Sequence, residues 1–144
     1  MYAQGNLPLG ERHTIILEGS GGVGSADLPY QEKFGIGGAD YLLGIPLMGY
    51  QRREFVGADE LGFALAYRWK IKDYQLKAVK ALYLNVAGQE ANVWDSRSSM
   101  SPGNLRNGVG MGLHADTIIG PVKFDYAVGE QHRYTFYFSA VFDF

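Results

Sequence analysis

Cysteine is absent from the 144 residues. That removes disulfides, thiolate metal sites and cysteine nucleophiles in one step. An excess of charge of one sign is lacking too: 13 Lys and Arg stand against 15 Asp and Glu, for a net charge of −2. No basic field exists to attract a phosphate backbone, so nucleic-acid binding is excluded. No apolar run approaches the roughly 18 residues of a membrane helix. No basic start with an apolar core marks a secretory leader, so the chain is either cytosolic or one that has lost its leader. Good helix formers are few.

Glycine and aromatics are abundant. Glycine is 20 of 144 residues, about twice the usual share, and aromatics make up 14%, with 10 Tyr and 8 Phe. The combination suggests β structure. One stretch, "IILEGSGGVGSAD", matches G-x-G-x-x-G at Gly19, Gly21 and Gly24, with Asp40 downstream. A dinucleotide site needs a helix directly after those glycines to hold the pyrophosphate. Here Pro29, Gly35, Gly37, Gly38, Gly44, Pro46 and Gly49 interrupt the chain beyond them. The glycines therefore read as a strand end entering a long loop.

From residue 59 onward the chain alternates with period two. Leu61, Phe63, Leu65, Tyr67 and Trp69 share one face, while Glu60, Gly62, Ala64, Ala66, Arg68 and Lys70 share the other. Leu82, Leu84 and Val86 oppose Tyr83, Asn85 and Ala87; Val109, Met111 and Leu113 oppose Gly108, Gly110, Gly112 and His114. Val122, Phe124, Tyr126 and Val128 oppose Lys123, Asp125 and Ala127, and the final stretch opposes Tyr134, Phe136, Phe138, Phe142 and Phe144 to Thr135, Tyr137, Ser139 and Asp143. Such alternation means strands with unlike faces. A soluble sandwich or lipocalin-like barrel would give it as well. Three details favour a membrane barrel. The strands are about ten residues long. Charges and glycines share the smaller face, as a polar lumen requires. Tyr67, Trp69, Tyr74, Trp94 and Tyr134 cluster at strand ends, as an interfacial girdle does.

Candidates for chemistry are weak. His13, His114 and His132 lie on different strands or turns, far apart in sequence, so a metal site is not expected. "SRSSMSPGN" has no nucleophile elbow around its serines. Glu130, His132 and Ser139 form a triad only on paper, since no loop offers an oxyanion hole. Arg68, Lys70, Lys80, Asp116, Lys123 and Asp125 read as lumen or rim charges. Gly108, Gly110 and Gly112 form a smooth stripe that either admits a close backbone or allows strong curvature.

The ending "GPVKFDYAVGEQHRYTFYFSAVFDF" resembles the C-terminal hairpin of the bacterial surface antigen superfamily. That superfamily includes outer-membrane assembly proteins, two-partner-secretion transporters and the barrel of patatin-like secretion proteins. "EKFGIGGADYLLGIPLMGY" is similar to its glycine element, here Phe34, Gly37 and Gly38, and to the long loop attached to that element. The tip of that loop is Leu47, Met48, Gly49 and Tyr50. "YLNVAGQEANVWD" is similar to a further family strand. The resemblance implies that the tip folds back into the lumen. It also implies that Tyr134, Phe136, Phe138, Phe142 and Phe144 form a signal read by the outer-membrane assembly machinery. Two departures stand out. In relatives a tip arginine is held by an acid on a nearby strand, and the matching positions here are Met48 and Val86, both apolar. Losing both halves of a buried pair is less damaging than losing one. The tip is in this respect nearer the patatin-linked branch than the assembly proteins.

The expected fold is an all-β, antiparallel transmembrane β-barrel domain over 1–144, or the C-terminal part of one, with a long loop over 20–56. Six strands are expected, near 12–19, 58–70, 76–88, 106–118, 121–129 and 133–144, and two more within 1–10 and 30–56 would make eight. Six strands leave open edges that a bilayer does not tolerate. Closure therefore comes from homo-oligomerisation, the remainder of a larger barrel, or the two extra strands. The expected function is non-catalytic insertion or translocation of proteins at the bacterial outer membrane. Lipid is a partner and no cofactor is used. The alternatives are a small self-associating structural barrel and a soluble lipocalin-like binder.

Overall fold

The computed structural model describes residues 1–38, 46–74 and 78–140. Seven strands form one antiparallel sheet in the order β1 (Tyr2–Pro8), β2 (His13–Gly22), β5 (Asp59–Asp73), β6 (Val79–Trp94), β7 (Arg106–Thr117), β8 (Gly120–Gly129) and β9 (Arg133–Ala140). Between β2 and β5 a separate two-stranded ribbon pairs β3 (Phe34–Ile36) with β4 (Phe55–Gly57). The strand sought within 1–10 is thus β1. The segment 30–56 contributes this ribbon, and no wall strand among its described residues. Gly19 and Gly21 lie within β2, paired with Phe63 and Leu61, so the glycine motif is strand backbone.

The period-two pattern sets the two faces. Phe63, Leu65, Met111, Leu113, Phe124, Phe136 and Phe138 all point outward, half exposed or more, and Phe138 reaches 72%. Inward, Asn85, Ala87, Gln89, Asp125 and Ala127 are buried. This is inverted relative to a soluble barrel. An apolar face this large would be a strong aggregation surface in water. Trp94 departs from the expected girdle, because it is buried at the long-loop end.

Short turns lie at one end of the sheet, after β1 and β7, the end at which β5 also finishes. The other end carries the 23–54 loop, the β6–β7 loop and a tight hairpin at Glu130–His132, where Gln131 and His132 take positive φ. The inner face curves into a trough of about 310 Å³ whose lining runs from Tyr2 and Gln4 on β1 to Lys123 and Asp125 on β8. Among the described residues two strand edges are unpaired: β1 bonds only β2, and β9 only β8.

Candidate functional site

Residues in cross-strand register form continuous rows across the inner wall. Ala66, Ala87, Gly110 and Ala127 align in one row and form a shelf of small side chains. Met48, at the loop tip, packs on that shelf with Ala87 and Ala127, beside Ala66 and Tyr137. The stripe glycines make room for it. A methyl on Gly110 would lie 2.5 Å from Met48 Sδ. A methyl on Gly108 would overlap the Met48 carbonyl, 2.9 Å from its carbon and nearer still to its oxygen. Gly49 has φ +89° and rests on the β8 backbone; a methyl there would sit 2.6 Å from the Val128 carbonyl carbon. Of the two roles open to the glycine stripe, the structure shows the admission of a close backbone. Gly112 serves differently, since its open space is filled by the Asp125 carboxyl.

Polar bonds fix the tip. Met48 N donates to Gln89 Oε1 at 2.7 Å. Gly49 N donates to Tyr137 OH at 2.9 Å, and that hydroxyl donates to Tyr50 O at 2.6 Å. In return Tyr50 OH donates to Asn107 O at 3.4 Å and accepts from Glu130 N at 3.1 Å. Loop and wall therefore exchange tyrosines: one from β9 holds the tip, and one from the tip holds the β7 and β8 ends. Burial pushes the Tyr50 phenol above its usual range, so it stays neutral and able to donate.

Behind the tip, Leu47, Tyr50 and Ile36 pack on Ala91, with Phe55 and Val93 alongside. Gly38 bridges Leu47 and Tyr50, with Leu47 N donating to Gly38 O at 2.9 Å and Gly38 N donating to Tyr50 O at 3.2 Å. Gly37 and Gly38 have φ of +122° and +92°, and a methyl on Gly37 would overlap the Gln51 carbonyl. Phe34 lies across Gly22, where a methyl would come within 2.5 Å of its ring. The glycine element is thus the fold-back that lets the loop return on itself.

A ladder of rings and guanidinium groups stands at the long-loop end. Arg106 lies 4.0 Å over Phe55, Phe55 meets Tyr50 edge-on at 5.4 Å, and Arg133 sits 5.7 Å over Tyr50. Arg133 also pairs with Glu54. Burial raises the Glu54 carboxyl, but the Gln51 N–H and the Arg133 guanidinium outweigh it and hold it below its usual range.

Beneath the shelf the next row is ionic and polar: Arg68, Asn85, Gly112, Asp125 and Tyr137 align. His114 Nε2 and Asp125 Oδ1 are 2.8 Å apart and nearly buried. The sequence separates that carboxylate from the histidine by a turn, and antiparallel register brings them together. Asn85 Oδ1 and Arg68 Nε are buried without a partner beside the trough. Ser139 and Glu130 stand at opposite ends of the last hairpin, so no triad assembles.

Val86, expected opposite the tip, points outward and is 43% exposed. The wall side chain that bonds Met48 N is Gln89, three residues on and of opposite parity. Gln89, Asn107, Arg106, Glu54 and Arg133 were not singled out from the sequence for this role. Tyr137 carried one usable signal, as the only bulky ring on the otherwise small inward face of the last strand. Gly38 meets Leu47 and Tyr50, whereas Phe34 lies against Gly22 and Gly24. Tyr134, Phe136 and Phe138 share the outward face of β9, whereas Phe142 and Phe144 lie outside the described residues.

An inverted β-wall with a loop seated on its inner shelf is the architecture of a membrane barrel built around an internal loop. A family profile described as the Omp85 superfamily domain matches residues 2–144. The chain belongs to the Omp85 superfamily, whose domain is characteristic of bacterial outer-membrane proteins. No curated protein and no solved structure gives a significant match to it.

Proposed function

We propose that the chain is the loop-bearing part of a larger outer-membrane barrel that takes part in protein assembly or secretion, with no chemistry and no cofactor of its own. The observation that carries this reading is the seated tip. Five hydrogen bonds and a glycine-lined shelf hold Met48 to Tyr50 on the wall, and the residues so used bind the loop and leave no reactive centre among them. In this reading the tip, Leu47 to Tyr50, is an internal brace. Phe34, Gly37 and Gly38 are its fold-back. The aromatic face of Tyr134, Phe136, Phe138, Phe142 and Phe144 is what the outer-membrane assembly machinery recognises.

Strand parity supports completion by other sequence over self-association. All seven wall strands are antiparallel, so β1 and β9 run the same way. Direct closure would be parallel. Copies arranged around a barrel axis normal to the membrane would also meet in parallel seams. An odd number of further strands makes every seam antiparallel and the total even, as in single-chain bacterial barrels.

The test is the protein mass and composition of the particle extracted in detergent, measured by light scattering and mass spectrometry. Strands of a different sequence in the particle support the reading. A particle made only of 15.9 kDa copies overturns it in favour of a self-associating barrel. A protein that stays in solution without detergent overturns the membrane assignment.

A further inference from the structure

On the outward face at the short-turn end, two irregularities alter which way cations point. In β5 the register slips between Lys70 and Lys72. Lys70 stays opposite inward Tyr83, while Lys72 is turned opposite Leu82 on the outward face. A bulge is a usual device for re-aiming a side chain. A second slip, between Val79 and Ala81, makes Lys80 the extra residue of β6, and it is exposed. Lys72 is exposed and its ammonium lies 5.2 Å from the Tyr74 ring. Lys70 is neutralised by Asp73 at 3.3 Å; Lys72 has no carboxylate partner among the described residues.

Next to it, His13 pairs with Trp69 across the strands. Its ring stacks with both Tyr67 and Trp69, at 5.9 and 6.3 Å between centroids. Its Nδ1 lies 2.6 Å from Tyr67 OH, which fixes the ring and leaves Nε2 free. Arg12, exposed, is tied in through its carbonyl to Lys70 N at 2.7 Å. The rim thus offers cations, ring N–H and aromatic ledges together at the strand ends, where a tilted membrane strand reaches the headgroups.

We propose that Lys72, His13 and Arg12, framed by Tyr67, Trp69 and Tyr74, form a site for the phosphate of an anionic phospholipid. Charge complementarity selects the occupant. Lys72 has no carboxylate partner among the described residues, and the aromatic ledges suit the acyl–headgroup boundary. The site rests on the reading that the outward face meets lipid.

The test uses the protein extracted from its native membrane, delipidated in detergent, and titrated with phosphatidylglycerol or phosphatidylcholine under native mass spectrometry. Wild type is expected to retain phosphatidylglycerol preferentially. Lys72→Gln is expected to lower that retention about fivefold, the usual worth of one lysine at an anionic surface, and His13→Gln to lower it further. Lys72→Arg is expected to keep it, and high salt to abolish it. Equal retention of both lipids, or retention unchanged in Lys72→Gln, overturns the site while leaving the barrel intact. A protein that needs no detergent and binds neither lipid overturns the barrel reading and the site with it.

Discussion

Gly108→Ala is the sharpest perturbation of the seated loop. The new methyl would overlap the Met48 carbonyl, 2.9 Å from its carbon, against an ordinary contact near 3.4 Å or more. Relief requires the tip to rise off the wall by an amount that hydrogen bonds of 2.7 and 2.9 Å at Met48 N and Gly49 N do not tolerate. Each lost bond is worth about 1 kcal/mol, and exposing Met48, which is 4% exposed in place, about 2 kcal/mol. Together with the Tyr137–Tyr50 bond, the loop loses about 5 kcal/mol of hold, or several thousandfold in its opening equilibrium. Amide exchange at Met48 and Gly49 reads that equilibrium directly. Gly88→Ala is the control. It sits opposite Val109 on the neighbouring strand, with nothing within 4 Å of an added methyl, and is expected to leave exchange unchanged. If Gly108→Ala protects those amides as well as wild type does, the close seating of the loop is wrong.

Three further outcomes are expected. Tyr137→Phe removes the hydroxyl that joins Gly49 N to Tyr50 O. At roughly 1–3 kcal/mol for stranded groups, tryptic cleavage at Arg52 or Arg53 should accelerate tenfold or more while strand amides stay protected; unchanged cleavage would dismiss the tyrosine as a fastener. Glu54, held below its usual carboxylate range, contributes its pairing with Arg133 fully above the unfolded value of 4.5, and that contribution is lost as pH falls through the lower folded value. Loop protease resistance should show an acid step below pH 4.5 that Glu54→Gln removes, and a step that persists in the variant belongs to another group. His114→Ala should destabilise the barrel by about 2 kcal/mol by stranding Asp125, seen in thermal unfolding in detergent. Adding Asp125→Asn should restore part of the loss, and strict additivity of the two changes would show that the pair is not coupled.

The wall was legible in the sequence because period two survives any strand pairing. Phe63 to Trp69 and Tyr134 to Phe138 declared one face from composition alone, and every later strand repeated the contrast. β1 was only suspected. "YAQGNLP" is polar, and its residues are exposed throughout, so no buried face disciplines its pattern. The loop tip was legible through resemblance, but its partner was not. Glycine positions in "LNVAGQE" suggested Val86, whereas parity in the structure turns Val86 outward and Gln89 inward. Motif spacing fixes a place along a strand, and which face a residue takes depends on register, in which a one-residue slip reverses every side chain.

The replacement of a charged tip by Met48 acquires a physical account from the layered wall. An ion pair at the shelf would need desolvated partners of opposite sign, and removal of either would leave a buried charge. Ala66, Ala87, Gly110 and Ala127 offer no such partner. They offer a surface a thioether fills without polar cost, flexible enough to settle into a shallow seat. The specificity an ion pair would supply is carried instead by backbone bonds to Gln89 and Tyr137 and by the Glu54–Arg133 clamp. Two of those four side chains, Tyr137 and Arg133, belong to β9, the strand with an unpaired edge. The loop therefore braces the seam of the wall as much as its centre, and whatever lifts Met48 from its shelf also loosens the strand where the barrel must close.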